Sequence, residues 1–310
     1  MRVVFFGSPK SALPSFQKIL EAGHTIELII TQPDRPSGRG KRLSYSPVKQ
    51  QALAEGIPLY QTGRIRKDPE AVETLRAIKP DLNVVVAYGQ IIPGSIIYLP
   101  RFNSINLHFS LLPKFRGASP VQWAILAGEK TTGLTVFELN EKMDEGKILA
   151  QKEVEIQPDE TAMGLERRLA VIGAELLVKT IARIQDIEPW EQDHTKASFA
   201  PLIKKTDGQI NWTKKALFIE RQIRAFTPWP STFTFLEGRR IKVSRGKSEP
   251  FKSSLAGPGE IVDIDRRGIS VMCGDGNVFL IERLQPENKK EMTAYDFSLG
   301  GNIKPGDTFS

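Results

Sequence analysis

The chain has 310 residues and a single cysteine, Cys273. One thiol can form neither an internal disulfide nor a Cys-rich zinc site, and it fits a reducing compartment. Histidine is nearly as scarce: His24, His108 and His194 show no metal-ligand spacing, so no metal is expected. Long apolar runs are missing too. No stretch approaches the roughly 20 apolar residues of a membrane span. The opening MRVVFFGSPKSALPSF lacks the long apolar core and small-residue cleavage site of a secretory leader. A soluble, cytoplasmic protein is the expectation, with no membrane partner. The glycine fingerprint G-x-G-x-x-G is absent as well. The first strand-like run ends in Gly7-Ser8-Pro9, which reads as a plain strand-to-helix turn at least as well as a ligand contact. Its absence counts against a nicotinamide-dependent oxidoreductase.

What is present is ordinary in bulk and uneven in distribution. Apolar residues make up 40% and charged residues 25%, as in a soluble globular protein, and the length suits two domains. The net charge is +7 with a pI near 9.4. From Arg35 to Lys49 there are five basic residues and no acid, and from Asp207 to Lys252 ten basic residues stand against four acidic ones. Two separated basic zones point to a polyanion that spans both, with ordinary solubility as the plainer alternative.

The first half alternates strand-like and helix-like segments. Strands are expected at Arg2–Phe6, Thr25–Thr31, Leu82–Ala87, Ile105–His108, Thr132–Leu139 and Ile148–Ile156. Helices are expected at 12–21, 48–55, 69–78, 119–127 and 161–184. Continuous apolar strands separated by helices define an α/β class: a doubly wound, mostly parallel, Rossmann-like sheet covered on both faces. Sites in such sheets form at the carboxyl ends of the strands. A first domain is therefore expected over 1–188, with a basic loop at 33–49, then a linker over 189–206. From 207 to 310 one amphipathic helix (216–226) is followed by five short β-rich runs broken by glycine turns. That pattern suits a small β-barrel of OB-like type. Glu237-Gly238 reads as a hairpin turn.

The stretch SINLHFSLLPKFRG, residues 104–117, carries the chemistry. Alternate strand residues share a face, so Asn106 and His108 point one way while Ile105 and Leu107 point the other. Leaving either polar group unsatisfied in a core would cost about 1–3 kcal/mol. Either the two satisfy each other structurally or they line a cavity. Their place at a strand's carboxyl end, before a Gly/Pro-punctuated loop, favours the cavity. An Asn amide can donate to a developing oxyanion, and a His can donate to it or move a proton. A carboxylate to orient the imidazole is absent locally. Met143-Asp144-Glu145-Gly146 offers one, although its composition fits a solvated β-turn as well.

Taken together, Ile105-Asn106-Leu107-His108, Ser110-Leu111-Leu112-Pro113-Lys114-Phe115-Arg116-Gly117 and Met143-Asp144-x-Gly146 resemble the signature of the folate-dependent formyltransferases. The resemblance implies that Asn106, His108 and Asp144 surround a formyl carbon. It implies that Ser110, Leu111, Leu112 and Pro113 contact tetrahydrofolate, with 10-formyltetrahydrofolate as the formyl donor. TQPDRPSGRGKRLSYSPVK (31–49), VVAYGQIIP (85–93) and IRAFTPWPST (223–232) look like the branch of that family that formylates methionyl initiator tRNA. The likeness covers the whole chain. It implies phosphate contacts from Arg35, Arg39, Lys41 and Arg42 in a loop that orders on the acceptor stem, and from Arg239, Arg240 and Lys242 in the barrel. Arg221, Arg224 and Lys247 are further candidates, while Trp212, Phe226 and Trp229 fit core packing better than base stacking. Lys10, Phe115 and Lys147 depart from the usual pattern, but none is one of the three proposed catalytic positions. A monomer is expected. Two rivals stay open: a formyltransferase acting on a sugar nucleotide or purine precursor, and a non-catalytic tRNA-binding protein.

Overall fold

The computed structural model describes residues 1–37, 42–251, 255–301 and 303–310, with the backbone alone at 35–37, 42 and 301. The chain divides into two compact units: 1–120, 131–155 and 165–201 form the first, and 121–130, 156–164 and 202–310 the second.

In the first part of the chain the elements run β1 (Arg2–Phe6), α1 (Leu13–Glu21), β2 (Thr25–Thr31), β3 (Arg35–Ser37), β4 (Arg42–Ser44), α2 (Pro47–Ala54), β5 (Leu59–Gln61) and α3 (Pro69–Ile78). They continue with β6 (Leu82–Val85), α4 (Gly94–Ile97), β7 (Ser104–His108), α5 (Pro120–Ala127), β8 (Thr131–Glu138), β9 (Ile148–Glu155) and α6 (Ala162–Ala182). Seven strands pair in the order β5-β2-β1-β6-β7-β8-β9. The first five are parallel, and β8 and β9 add antiparallel at the edge. The chain winds from β1 outward to β5, then crosses back to β6 and β7. The switch point therefore lies between β1 and β6, where such sheets open a crevice. Val3–Phe6 and all of β6 are buried, as central parallel strands with helices on both faces must be. Phe5 and Phe6 each contribute roughly 1.5–3 kcal/mol by that burial.

Local signals explain the helix starts. Ser46 accepts from Lys49 N ahead of Pro47, and Asp68 accepts from Ala71 N ahead of Pro69. Each pairs a side-chain N-cap with a proline at the first helical position. In this part of the chain the expected strands and helices are present within a residue or two. The three-residue β5, the β3–β4 ladder and the one-turn α4 were not expected, because pieces this short carry no periodicity.

In the second unit the elements are α7 (Ala216–Phe226), β10 (Thr232–Leu236), β11 (Arg239–Glu249), β12 (Ile261–Asp265), β13 (Gly268–Met272), β14 (Val278–Pro286), β15 (Met292–Thr293) and α8 (Ala294–Gly301). The sheet is antiparallel, in the order β10-β11-β14-β13-β12, with β15 on β14. Glu237 and Gly238 both have positive φ, 50° and 75°, the backbone of a tight I′-type hairpin turn. Residues 307–310 bridge the two edge strands. Ile261 N donates to Asp307 O (2.8 Å) and Phe309 N to Gly259 O (2.8 Å), while Ser310 and Phe235 exchange both backbone bonds (2.9 and 2.8 Å). This segment closes the expected barrel, although nothing in KPGDTFS reads as a strand. Trp212 stacks on Phe309 inside, its indole N–H bonded to Thr234 Oγ1 at 3.0 Å.

Candidate active site

β7 buries Ile105 and Leu107 on one face and turns Asn106 and His108 to the other. His108 is buried, whereas Asn106 is half-buried, so the pair stands at an edge between core and solvent. Among the described residues the Asn106 side chain makes no hydrogen bond. The imidazole is held on both sides. Its Nε2 lies 3.0 Å from Phe115 O. A carbonyl can only accept, so Nε2 carries a proton. Its Nδ1 faces Asp144 Oδ2 at 3.9 Å, an ion-pair separation beyond hydrogen-bond range. The loop after β8 thus brings to His108 a carboxylate that lies far from it in the chain.

Asp144 sits in left-handed backbone (φ 54°). Its Oδ2 accepts from Gly117 N at 2.7 Å, tying its loop to the one after β7. Gly146 is obligatory on space alone, because a Cβ there would collide with Glu138 O. Gly117 is similar: its φ is 122°, and a Cβ would stand 2.7 Å from Ala200 O.

The segment expected as a linker is bonded along the first unit. Trp190 exchanges two backbone bonds with Ile148 (2.8 and 3.0 Å). Phe115 N donates to Ser198 Oγ (2.9 Å), Arg116 N to Ser198 O (2.8 Å), and Ala200 N to Arg116 O (2.7 Å). Gln192 Nε2 donates to Asp144 O (2.9 Å) and Gly146 O (2.8 Å), while its Oε1 accepts from the Arg116 guanidinium. Arg116, buried to 3% exposure, also meets Glu145 at 3.3 Å. Sequence reasoning missed Gln192. Glutamine bonds made across dozens of residues leave no periodic trace.

In the Ser-Leu-Leu-Pro loop two residues face inward. Ser110 is fully buried, and its hydroxyl donates to Lys114 O at 2.6 Å. Leu112 packs with Phe137 and Ile148, its N–H on Thr135 Oγ1 (3.1 Å) and its carbonyl accepting from Gln151 Nε2 (2.8 Å). Leu111 and Pro113 are half-buried. Thr135 and Gln151 were not singled out in the sequence, yet they shape this loop. At the end of β1, a Cβ on Gly7 would lie 2.9 Å from Val86 O and 2.8 Å from the Phe5 ring. Gly7 is there because two strand ends approach closely.

The basic positions divide. Arg39 and Lys41 lie outside the described residues, and Arg35 and Arg42 stand in the β3–β4 ladder opposite Ser44 and Ser37. Lys49 is neutralised at the ladder's base, 2.6 Å from Asp34 and 2.8 Å from Gln61. In the second unit Arg239 and Arg240 are exposed on β11, Arg240 over the Phe233 ring at 4.0 Å, and Lys242 is half-buried. Lys247 pairs with Glu249 (2.9 Å), and Arg224 donates to Glu160 O (3.3 Å). Trp212 and Phe226 are core residues as expected, but Trp229, beside Pro230 after α7, is 53% exposed. Core packing is thus wrong for Trp229, which the turn after α7 leaves outside. Among the described residues no group of three or more His, Cys, Asp or Glu is placed to hold a metal ion, and no helix is long and apolar enough to cross a membrane.

A doubly wound sheet with Asn106 and His108 on β7 and Asp144 in the loop after β8 defines a class that sequence comparison then narrows. Residues 1–181 match the formyl transferase family, and residues 202–302 match the formyl transferase C-terminal domain. Full-length similarity is to methionyl-tRNA formyltransferases. That of Synechococcus sp. (strain JA-3-3Ab) is 44% identical, covering 100% of this chain and 98% of its own. That of Geobacter sulfurreducens is 39% identical, covering 99% and 96%. The chain belongs to the methionyl-tRNA formyltransferase family. In fold it is similar to WlaRD, a sugar 3N-formyl transferase whose structure was solved with dTDP and 5-N-formyl-THF (TM-score 0.65, 22% identity, 94% of this chain and 99% of that one). It is also similar in fold to HypX from Aquifex aeolicus in complex with tetrahydrofolic acid (TM-score 0.61, 16% identity, 100% of this chain and 50% of that one).

Proposed function

We propose that this chain, as a cytoplasmic monomer, transfers the formyl group of 10-formyltetrahydrofolate to the α-amine of methionyl initiator tRNA, and that Asn106, His108 and Asp144 carry the step. The observation that supports this most is the approach of Asp144 to His108 at 3.9 Å, in a chain 44% identical end to end to a methionyl-tRNA formyltransferase.

The donor supplies an activated formyl carbon. As the amine attacks, negative charge develops on the formyl oxygen; the bond from the formyl carbon to the folate nitrogen then breaks, the amine gives up a proton and the departing nitrogen takes one up. Asn106, half-exposed and without a side-chain partner among the described residues, is free to donate to the formyl oxygen. His108 has committed Nε2–H to Phe115 O, so a proton that it gives or takes passes through Nδ1. That nitrogen faces the Asp144 carboxylate, whose charge stabilises positive charge on the ring during the transfer. Gly117 N–H anchors the carboxylate, so the pair needs little reorganisation.

For the folate, Leu111 and Pro113 and the exposed turn at Ala87 and Gly89 offer surface beside the strand ends, and Ser110 and Leu112 shape the loop from within. Two proteins of similar fold were solved with folate compounds, which agrees with that assignment. Arg35, Arg39, Lys41 and Arg42, with Arg239, Arg240 and Lys242, serve as phosphate contacts.

The test is direct. The protein is incubated with methionyl-tRNA and 10-formyltetrahydrofolate, the ester is hydrolysed, and the released amino acid is analysed for formyl. N-formylmethionine is expected, and Asn106→Ala should slow its formation about 100- to 1000-fold. Formylation of an amino-sugar nucleotide in preference to charged tRNA would overturn the reading.

A further inference from the structure

We infer that Gln192 is a positioning residue for the reaction, setting the His108–Asp144 pair through the backbone of the Asp144 loop. The inference rests on the roles proposed above for those two side chains.

Gln192 is 4% exposed and lies outside every motif in the chain. A buried primary amide has two hydrogens and two lone pairs to satisfy, and here all four are engaged. The hydrogens go to Asp144 O at 2.9 Å and Gly146 O at 2.8 Å. The oxygen accepts from Arg116 Nε at 3.2 Å and Nη2 at 2.7 Å. Only one orientation works. Turning the amide over would set its NH2 against the guanidinium and its oxygen against two carbonyls.

The two carbonyls flank Glu145 and so grip the turn that begins at left-handed Asp144. Gripping the turn at both ends fixes the direction of the Asp144 Cα–Cβ bond, while Gly117 N fixes the carboxylate end at 2.7 Å. Arg116 closes the circuit. Its neighbours in the chain are Phe115, whose carbonyl holds His108 Nε2, and Gly117, whose N–H holds Asp144. One amide therefore touches both loops of the pair and sets their spacing. Gln192 is itself held, since Trp190 pairs with Ile148 on one side and Asp193 bonds Thr195 on the other. Misplacing a catalytic group by about 1 Å can cost on the order of 100-fold in rate.

A double-mutant cycle separates positioning from simple structural support. Gln192→Glu keeps an acceptor for Arg116 but sets an oxygen against the two carbonyls. It should lower kcat for methionyl-tRNA formylation about 10- to 100-fold, with KM for folate and for tRNA within about twofold. In an Asp144→Asn background the same change should cost less than about twofold, because the carboxylate it positions is gone. Equal losses in both backgrounds, or wild-type kcat in Gln192→Glu, would overturn the inference. If Gln192→Glu does not fold, Gln192→Asn enters the same cycle, since a side chain one methylene shorter withdraws both donors while remaining an amide. The wild-type reaction distinguishes the two levels: no formylmethionine there refutes the proposed function, whereas an active wild type with an additive cycle refutes only the role of Gln192.

Discussion

Gly146 shows how tightly the site is specified at the scale of single residues. Any Cβ there would collide with Glu138 O, so the loop that presents Asp144 tolerates no side chain at that point. Gly146→Ala should lower the thermal midpoint, at a cost of about 1–3 kcal/mol for overpacking. It should also slow formylation by more than about 10-fold by moving Asp144, which stopped-flow assay of the folded variant would measure. Cys273 behaves oppositely: burial, then the nearby Asp275 charge, push its thiol up to about 12. At neutral pH it is a protonated, enclosed thiol, so an aromatic disulfide reagent should react no faster than the protein unfolds. The shared face of Asn106 and His108 was legible in the sequence, because strand alternation sets them opposite Ile105 and Leu107. The approach of Asp144 to His108 was to be expected only through resemblance, since composition alone fitted a surface turn. Gln192, Thr135 and Gln151 were not legible, because each acts through hydrogen bonds between distant segments.

The central strands and long helices of the first unit were read within two residues, whereas β11, expected as one of five short runs, extends over eleven residues. The central strands announce themselves as continuous apolar runs. The segment 189–200 looks aperiodic, yet its backbone bonds to the loops of the pair, a pattern no side-chain period encodes. The barrel's closing segment, 307–310, escaped notice for the same reason. Helix α3 illustrates an element whose start is readable and whose stability is testable. Asp68 caps it by accepting from Ala71 N. The Thr62 hydroxyl holds the Asp68 carboxyl below its ordinary range, against the opposing effect of burial, and Ala71 N–H helps. A depressed carboxylate stabilises the fold fully above its unfolded value, about 3.9, and loses that contribution as pH falls through the lower native value. Asp68→Ala should therefore cost about 1 kcal/mol in urea unfolding at neutral pH. The gap to wild type should narrow as pH falls below about 3.9.

For the molecule as a whole, charge says more than shape. The two basic zones carry +5 and +6 in a chain whose net charge is +7, and several of those charges are already committed. Lys49 is held by Asp34, and Lys247 by Glu249. Arg239 and Arg240 are exposed and make no ion pair with a carboxylate among the described residues. Replacing both with alanine should weaken tRNA binding and make its salt dependence shallower by about 1 for each phosphate no longer neutralised, leaving turnover at saturating tRNA unchanged. Binding titrations across a salt series read this, and an unchanged slope would remove β11 from the interface.

Whether a charged Asp144 beside His108 drives formyl transfer to methionyl-tRNA is decided most directly by single-turnover formylation. Wild type and Asp144→Asn are compared at saturating 10-formyltetrahydrofolate. The isosteric change keeps an acceptor for Gly117 N and replaces the other carboxylate oxygen with an uncharged amide NH2. The wild type should yield N-formylmethionyl-tRNA, and the variant should do so at a rate about 100-fold lower or worse. A folded Asp144→Asn protein that formylates methionyl-tRNA within about twofold of the wild-type rate would contradict that role.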